Sequence, residues 1–279
     1  MSSWAQSREL TRQSWKVLRE NRYLMGYPAL GVVASVIPFV VVVAGVFFIA
    51  TDLNWVGWAL VIIGLYLVTL VMSLFQAGLV VSAATEMQGG DSSIGHGLGT
   101  AFGRLGRIAR WAFVNAVVSA LIGALRGNND GGLVSVIFRN VLAATAGVMW
   151  QLITFFVMPA MMLDDLGMID AIKKSAATFK ARWGTQLSGG VRIGGLIGLL
   201  AILPGILAVV GGALLTTAGA WSIGIPLAVI GLVVVLVAGL VLSAMRGVFS
   251  VALYDYATKG VVQGGFTEEQ LAGAVRLRS

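Results

Sequence analysis

Three apolar stretches of this sequence are longer than a lipid bilayer is thick. They cover residues 55–85, 133–163 and 221–254. An α-helix rises about 1.5 Å per residue, so each stretch would form a helix of roughly 46–51 Å. The hydrocarbon layer of a membrane is only about 30 Å thick. Each of these helices must therefore tilt strongly or protrude into water.

The composition is that of a membrane protein. Hydrophobic residues make up 58% of the 279 residues and charged residues only 11%, whereas soluble domains carry about 25% charged residues. Shorter apolar stretches at 27–50, 108–125 and 189–215 are also long enough to cross a bilayer. We predict an all-α integral membrane protein, a single transmembrane domain over residues 1–279 with six transmembrane helices. For 108–125 a re-entrant hairpin is the alternative.

Amphipathic segments alternate with these spans. Between residues 169 and 183 apolar residues recur at steps of three and four, which places them on one face of a helix. The order amphipathic helix, span, overlong span occurs three times, so we predict three repeats. The surface segments are an N-terminal amphipathic helix at 1–26, interfacial helices at 94–109 and 168–184, and a capped C-terminal helix at 264–279.

The positive charges predict the orientation. All but two of the 19 lysines and arginines fall on one side of the predicted topology, the exceptions being Arg126 and Arg139. Since positively charged loops stay in the cytoplasm, both termini and all amphipathic helices are predicted to be cytoplasmic. The excess of arginine over lysine, with abundant Ala, Gly and Val, suggests a prokaryotic plasma membrane. The net charge of +7 then fits anionic lipid headgroups rather than nucleic acid.

Arg246 is the most informative polar residue, because it lies in an otherwise apolar span. An arginine at the centre of a span is unfavourable by about 2.5–3.5 kcal/mol. It belongs to a polar stripe on one helical face that runs from Ser243 through Arg246 and Ser250 to Tyr254. Either Arg246 is structural, paired with a carbonyl group or with Asp255, or it lines a cavity and meets an anionic group. Further candidates to line such a cavity are Gln76, Gln151, Ser243 and Ser250.

Other residue types suggest contacts with lipid and between helices. Small residues at four-residue steps allow close helix approach, and those predicted to do so are Gly194, Gly198, Gly239 and Gly247. Cations beside the interfacial helices are candidates to bind lipid headgroups, namely Arg104, Arg107, Lys173, Lys174 and Lys180. Asp164 and Asp165 could belong to a phosphate or metal site, but capping of the following helix is the favoured interpretation.

Catalysis is not predicted. The sequence has no cysteine and a single histidine, His96, and no nucleophile–base pair or metal cluster can be assembled from the remaining residues. The glycines around His96 do not make a nucleotide-binding loop, because no strand precedes them and no Lys-Ser/Thr pair follows. We therefore expect no enzyme activity, no cofactor and no metal.

Three segments carry a family resemblance. NRYLMGYP (21–28), GGDSSIGHGL (89–98) and LDDLGMIDAIKKSAATFKARWG (163–184) resemble an uncharacterised family of prokaryotic polytopic membrane proteins. That family is more distantly similar to the membrane region attached to some glycerophosphodiester phosphodiesterases, whose catalytic domain has no counterpart in this sequence. The resemblance implies the membrane fold and no activity.

Two classes of function are compatible with these patterns. The first is transport or lipid handling, with a cytoplasm-facing cavity for an anionic or amphipathic molecule. The second is a structural or accessory subunit that organises lipid, or docks a further copy or a partner membrane protein. A cavity that includes Arg246 and Gln76 favours the first function. Solid packing there, beside a basic cytoplasmic face, favours the second.

Overall fold

The computed structural model describes residues 3–125, 133–183 and 195–273, and every regular element in these ranges is helical. A 3-10 helix, Arg22–Met25, joins the first two α-helices. In chain order the α-helices are α1 (Ser3–Glu20), α2 (Gly26–Ala34), α3 (Val36–Ile49), α4 (Asn54–Met87), α5 (Ile94–Gly103), α6 (Leu105–Ala124), α7 (Leu133–Ile153), α8 (Val157–Leu163), α9 (Met168–Trp183), α10 (Gly195–Thr217), α11 (Trp221–Lys259) and α12 (Glu268–Gly273).

Within the described residues, five helical stretches are long and apolar enough to cross a membrane. They are Arg22–Ile49, Asn54–Met87, Leu105–Ala124, Ser135–Leu163 and Trp221–Lys259. A shorter apolar helix covers Ile202–Thr217 in α10. The protein is therefore an all-helical, multi-pass membrane protein. The third stretch is one continuous helix, α6, rather than the re-entrant hairpin that was the alternative there.

Two helical hairpins, α3–α4 and α10–α11, are held together by backbone contacts at glycines. A Cβ added to Gly57 would lie 2.7 Å from the carbonyl oxygen of Gly45, and one added to Gly231 would lie 2.6 Å from that of Gly205. Such distances leave no room for a side chain, so glycine is required at these crossings. The two hairpins share one spacing: Gly45, Gly57 and Gly64 correspond to Gly212, Gly224 and Gly231.

The C-terminal parts of the overlong helices are buried by protein on all sides. Every residue is buried from 77 to 84 in α4, from 157 to 162 in α8 and from 250 to 255 in α11. These three segments pack against one another, and α1, α5, α9 and α12 surround them. We call this assembly the headpiece. A helix segment that is buried all round has no face for lipid, so the excess length of α4 and α11 forms the core of the headpiece.

The surface helices differ from prediction at their ends. The interfacial helix predicted at 94–109 ends at Gly103, and α6 begins immediately afterwards at Leu105. The predicted helix at 168–184 is α9, and the N-terminal and C-terminal helices are α1 and α12. Helix α5 packs closely on α4, since a Cβ at Gly97 would lie 2.6 Å from the carbonyl oxygen of Gly78.

The stretch predicted as one span at 133–163 is broken between α7 and α8. Proline cannot donate a backbone hydrogen bond and clashes with the carbonyl group four residues before it, so Pro159 disfavours a regular helix at this point. Ser175 of α9, which is fully buried, stabilises the break. Its Oγ donates to the carbonyl oxygen of Ile153 (2.5 Å) and accepts from the N–H of Phe156 (3.1 Å).

We predict that Ser175→Ala destabilises the protein by about 1–3 kcal/mol, since it leaves a buried N–H and a buried carbonyl group without partners. The measurement is thermal unfolding in detergent. Thr178→Ala serves as the control, because Thr178 is a half-exposed residue of the same helix and its change should have little effect. Equal melting temperatures for the two variants would show that Ser175 does not support the break.

Candidate functional site

An acidic residue follows each of the three overlong apolar stretches, and the structure gives each one a partner. At the end of α4, Glu86 Oε1 accepts hydrogen bonds from Tyr23 Oη (2.6 Å) and from the backbone N–H of Ser92 (3.0 Å). These bonds tie α4 to the 3-10 helix and to the turn before α5. Nearby, Tyr27 Oη is 2.5 Å from Ser82 Oγ, so two tyrosines anchor the start of the first span to the headpiece.

The second acidic residue, Asp164, joins three helices. Its Oδ2 accepts from Lys174 Nζ of α9 at 2.5 Å and from the hydroxyl of Tyr254 of α11. Lys174 Nζ also lies 5.9 Å from the centre of the Tyr254 ring. Burial raises the pKa of Asp164, but the hydrogen bonds from Lys174 and Tyr254 outweigh burial, and the pKa lies below its ordinary value.

Asp165 connects α6 to the turn between α8 and α9. Its backbone is left-handed, with φ 55°, a conformation in which Asp and Asn are enriched among non-glycine residues. Arg104 Nε and Arg107 Nη1 lie 2.8 and 2.7 Å from Asp165 Oδ1. Hydrogen bonds from Arg107 and Arg104 hold the pKa of this exposed carboxyl group below its ordinary value.

These contacts change the roles of three of the five cations that were predicted to bind lipid headgroups. Arg104 and Arg107 are bound to Asp165, and Lys174 to Asp164, so these three cations neutralise carboxylates instead of standing free for lipid headgroups. Lys173 and Lys180 are exposed, as a headgroup contact requires. The two aspartates bind cations rather than form a metal site, and the described residues contain no group of three potential metal-ligating His, Cys, Asp or Glu side chains.

The third acidic residue, Asp255, is fully buried and pairs with Lys259, whose Nζ is 2.7 Å from its Oδ1. The pairing of Asp255 with Arg246 that the sequence allowed is therefore not formed. Arg246 is exposed and has no hydrogen bond or ion pair with any described residue. The reason is geometric, because a residue nine positions away along a helix is about 13 Å distant, whereas Lys259 follows Asp255 by one turn.

The other cavity candidates do not converge on an interior space. Gln76, Gln151 and Ser243 are exposed, as Arg246 is. Ser250 is buried, but its hydroxyl donates to the carbonyl oxygen of Gly247 in its own helix at 2.7 Å. Three of these four side chains are therefore on the surface, and a cytoplasm-facing cavity lined by this set stays a prediction.

Of the glycines predicted to lie at helix contacts, one is at a close contact and another has no neighbour. A Cβ at Gly247 would overlap Leu79, 3.0 Å from its Cγ, so α11 approaches α4 closely there. A Cβ at Gly239 would meet nothing within 4 Å, because this part of α11 lies on the open surface of the hairpin. Gly194 lies outside the described residues, and the surroundings of Gly198 are likewise not described.

Sequence reasoning missed most of the partners of these acidic residues. A carboxylate at the end of an apolar helix needs a donor, and this requirement was visible at Glu86 and Asp164. The donors Tyr23 and Tyr254 come from distant parts of the chain, so spacing could not identify them. The same holds for Asn115 of α6, whose Oδ1 accepts from Trp150 Nε1 of α7 at 2.9 Å.

Residues 55–266 match the model of DUF6159, a family of unknown function. The chain belongs to this family. The match covers α4 to α11 and the turn before α12, and so includes Glu86, Asp164, Asp165 and Asp255. No curated protein matches the chain. No solved structure matches it either. The more distant likeness to the membrane region of glycerophosphodiester phosphodiesterases stays a prediction.

The lowered pKa values predict acid sensitivity of this DUF6159 protein. A carboxyl group whose pKa is lower in the folded state stabilises the fold above its unfolded pKa, and that contribution is lost as the pH falls through the folded pKa. The ordinary value for Asp164 and Asp165 is 3.8. We expect the melting temperature to vary little above about pH 5 and to fall as the pH drops below about 4.

The variant Asp164→Asn tests whether the charge on Asp164 causes this loss of stability at low pH. Asparagine keeps the shape of the side chain but does not titrate, so the variant should melt lower at pH 7 and lose less on acidification. Its melting curve should approach that of the wild type near pH 2. A constant difference in melting temperature from pH 7 to pH 2 would contradict a stabilising charge on Asp164.

Proposed function

We propose that this DUF6159 protein is a non-catalytic structural or accessory protein of a prokaryotic plasma membrane. Its six spans hold the headpiece against the cytoplasmic membrane surface, where exposed cations bind anionic lipid headgroups. The observation that carries this proposal is the division of the cations. One set pairs with the carboxylates at the helix ends, and a separate, exposed set on α1 and α9 faces outward.

The outward set is clearest on α1. Val17 and Leu18 are buried against the headpiece, while Arg12, Lys16 and Arg19 are exposed and form no ion pair with any described residue. One face of this helix is therefore fixed to protein and the other is basic. A basic side chain near an anionic membrane surface contributes about 1 kcal/mol of attraction, so the three cations together would hold the headpiece at the membrane.

The orientation rests on charge and on length. The headpiece holds the ends of α4, α8 and α11 together with the surface helices, and these parts carry most of the lysines and arginines. By the positive-inside rule this side is cytoplasmic, and both termini are on it. Helix α10 would be the sixth span, because it packs along α11 as α3 packs along α4. The shared glycine spacing of these hairpins supports an internal repeat.

Solid packing between α4 and α11 favours this function over transport through a central cavity. Ala77 and Ala244 are fully buried, and Gly247 lies directly against Leu79. Gln76 and Arg246, which would line a central cavity, are on the outside. A protein that organises lipid around its outer surface needs no interior path, and a further copy or a partner membrane protein could share that surface.

The topology can be tested with single cysteines, since the wild type has none. Cysteines replacing the exposed residues Asp52 and Ser222 should react with an impermeant maleimide on intact cells. Cysteines replacing the exposed residues Arg12 and Glu268 should react only after the cells are opened. Labelling of Arg12→Cys from outside would overturn the orientation, and labelling of Ser222→Cys only in opened cells would overturn the sixth span.

The lipid interaction predicts a melting temperature that depends on membrane charge. The wild type should melt several degrees higher in phosphatidylglycerol nanodiscs than in phosphatidylcholine nanodiscs, because 1 kcal/mol shifts a melting temperature by about 2–4 °C in proteins near this size. High salt should shrink this gain, since it screens surface charges. The triple variant Arg12→Gln, Lys16→Gln, Arg19→Gln should lose most of it.

The matched control keeps the charge. Arg12→Lys with Arg19→Lys leaves three cations on α1, so it should retain the gain of the wild type. If the triple glutamine variant gains as much as the wild type, α1 does not bind the anionic surface. If the lysine variant loses the gain as well, the shape of the arginines matters and surface charge is not the cause.

A further inference from the structure

Three exposed polar side chains lie where α4 and α11 come together. The two helices run parallel, because Leu79 of α4 lies against Gly247 of α11 and the C-terminal part of each helix is buried in the headpiece. Gln76 is one turn before Leu79, and Ser243 and Arg246 closely precede Gly247. At about 1.5 Å per residue, the three lie within about 6 Å of one another along the helix axes.

They also share one side of the helix pair. Successive helical residues are about 100° apart around the helix axis. Gln76 is therefore rotated about the α4 axis by about 60° from Leu79, which faces α11. Ser243 and Arg246 are rotated about the α11 axis by about 40° and 100° from Gly247, which faces α4, and this rotation has the opposite sense. When two parallel helices face each other, rotations in opposite senses about their axes turn the side chains to the same side of the helix pair. The three polar groups therefore border one groove, whose floor is the contact of Leu79 with Gly247.

The groove lies at the depth of lipid headgroups. Trp55 and Trp221 begin the two helices and are 70% and 62% exposed, as expected of tryptophans at the outer membrane interface. Arg246 is then about 37 Å along α11 and Gln76 about 31 Å along α4. The hydrocarbon layer is about 30 Å thick, so both residues lie just beyond it on the headpiece side.

Arg246 has no anionic partner among the described residues. Of the carboxylates on the headpiece side of it, Asp164 is engaged by Lys174 and Tyr254, and Asp255, which lies on the opposite face of α11, is engaged by Lys259. The bond between Tyr254 and Asp164 joins α11 to α8, above the groove on the headpiece side. A guanidinium group, an amide and a hydroxyl group together offer the donors that a phosphate diester accepts, and the planar guanidinium can bind two of its oxygens at once.

We infer that Arg246, Gln76 and Ser243 bind the phosphate of one phospholipid in the groove between α4 and α11. Large apolar side chains exposed on the membrane side of the groove would contact its acyl chains, among them Ile62 and Leu65 of α4 and Leu232 and Leu236 of α11. The site recognises the phosphate group that all glycerophospholipids share. It rests on the proposed membrane orientation but not on the attraction of α1 to anionic lipid.

The test is native mass spectrometry of the detergent-purified protein with added lipid. We expect one molecule of phosphatidylglycerol or phosphatidylcholine to bind, and diacylglycerol, which lacks the phosphate, not to bind. Arg246→Gln should weaken binding about tenfold or more, because charge-assisted and bidentate contacts are lost. Arg246→Lys should recover part of it, since it restores the charge without the planar fork. Inorganic phosphate should not displace the lipid.

Arg110→Gln is the matched control, because Arg110 is an exposed arginine of α6, away from the groove, whose Nε donates to the carbonyl oxygen of Gly106 in its own helix, and it should bind lipid as the wild type does. Gln76→Leu, at a position exposed to lipid, gives a second variant should Arg246→Gln not fold, and it too should bind less. Undiminished binding by the folded groove variant would overturn the site. So would an equal loss in Arg110→Gln, or displacement of the lipid by free phosphate.

Failure of the groove is distinguishable from failure of the proposed function. Phosphatidylcholine carries the phosphate but no net charge, so it reports on the groove and not on the attraction of α1. If the phosphatidylglycerol nanodiscs give no stabilisation but one phosphatidylcholine still binds in an Arg246-dependent manner, only the surface attraction fails. If the phosphatidylglycerol nanodiscs stabilise the protein but phosphatidylcholine does not bind in an Arg246-dependent manner, the proposed function stands and the lipid site in the groove is wrong.

Discussion

The excess length of α4 and α11 over the thickness of a membrane is the constraint on which the rest of the structure depends. A helix end that leaves the hydrocarbon layer still carries apolar side chains on all faces, and their exposure to water is unfavourable. The fold buries these ends against each other and against α8, and the amphipathic helices cover what remains. The headpiece is therefore a protein core built from the continuations of membrane helices.

Several polar groups in this core are satisfied by residues from other helices, whereas Asp255 pairs within its own helix and its Oδ2 has no hydrogen-bond partner among the described residues. Ser175 of α9 supplies the hydrogen bonds that the chain loses where Pro159 breaks the span. Tyr254 of α11 donates a hydrogen bond to Asp164, and Lys174 of α9 neutralises it. A buried polar group without a partner is unfavourable by about 1–3 kcal/mol. Such bonds consequently fix which helix lies beside which, a choice that apolar packing alone leaves open.

The distribution of charge follows from the same burial. Arginines and lysines that face the acidic helix ends are bound to them, whereas those on the outer faces of α1 and α9, together with Arg246, face away from the core. Asp255 is fully buried and Asp164 is only 20% exposed, and pairing with a lysine avoids an isolated charge at each site. Asp165 and its two arginines pair nearer the surface, and uncompensated cations lie where an anionic surface can meet them. This separation links the packing of the headpiece to the proposed contacts with lipid.

The sequence by itself determined the helical membrane class, the positions of the long helices to within a few residues and the amphipathic surface helices. These follow from the number of consecutive apolar residues and from their periodicity, both of which are local properties. The sequence also indicated that Arg246 and Asp164 were unusual, because charge in or beside an apolar run is visible without a fold.

Only the tertiary structure decided the partners. It joined Asp164 to Tyr254, which is 90 residues away, paired Asp255 with Lys259 instead of Arg246, and placed Gly247 but not Gly239 at a helix contact. It also broke the predicted fourth span, because a buried serine of another helix was available to complete the break. These outcomes depend on which helix faces meet and at what depth, and no short stretch of sequence contains that information.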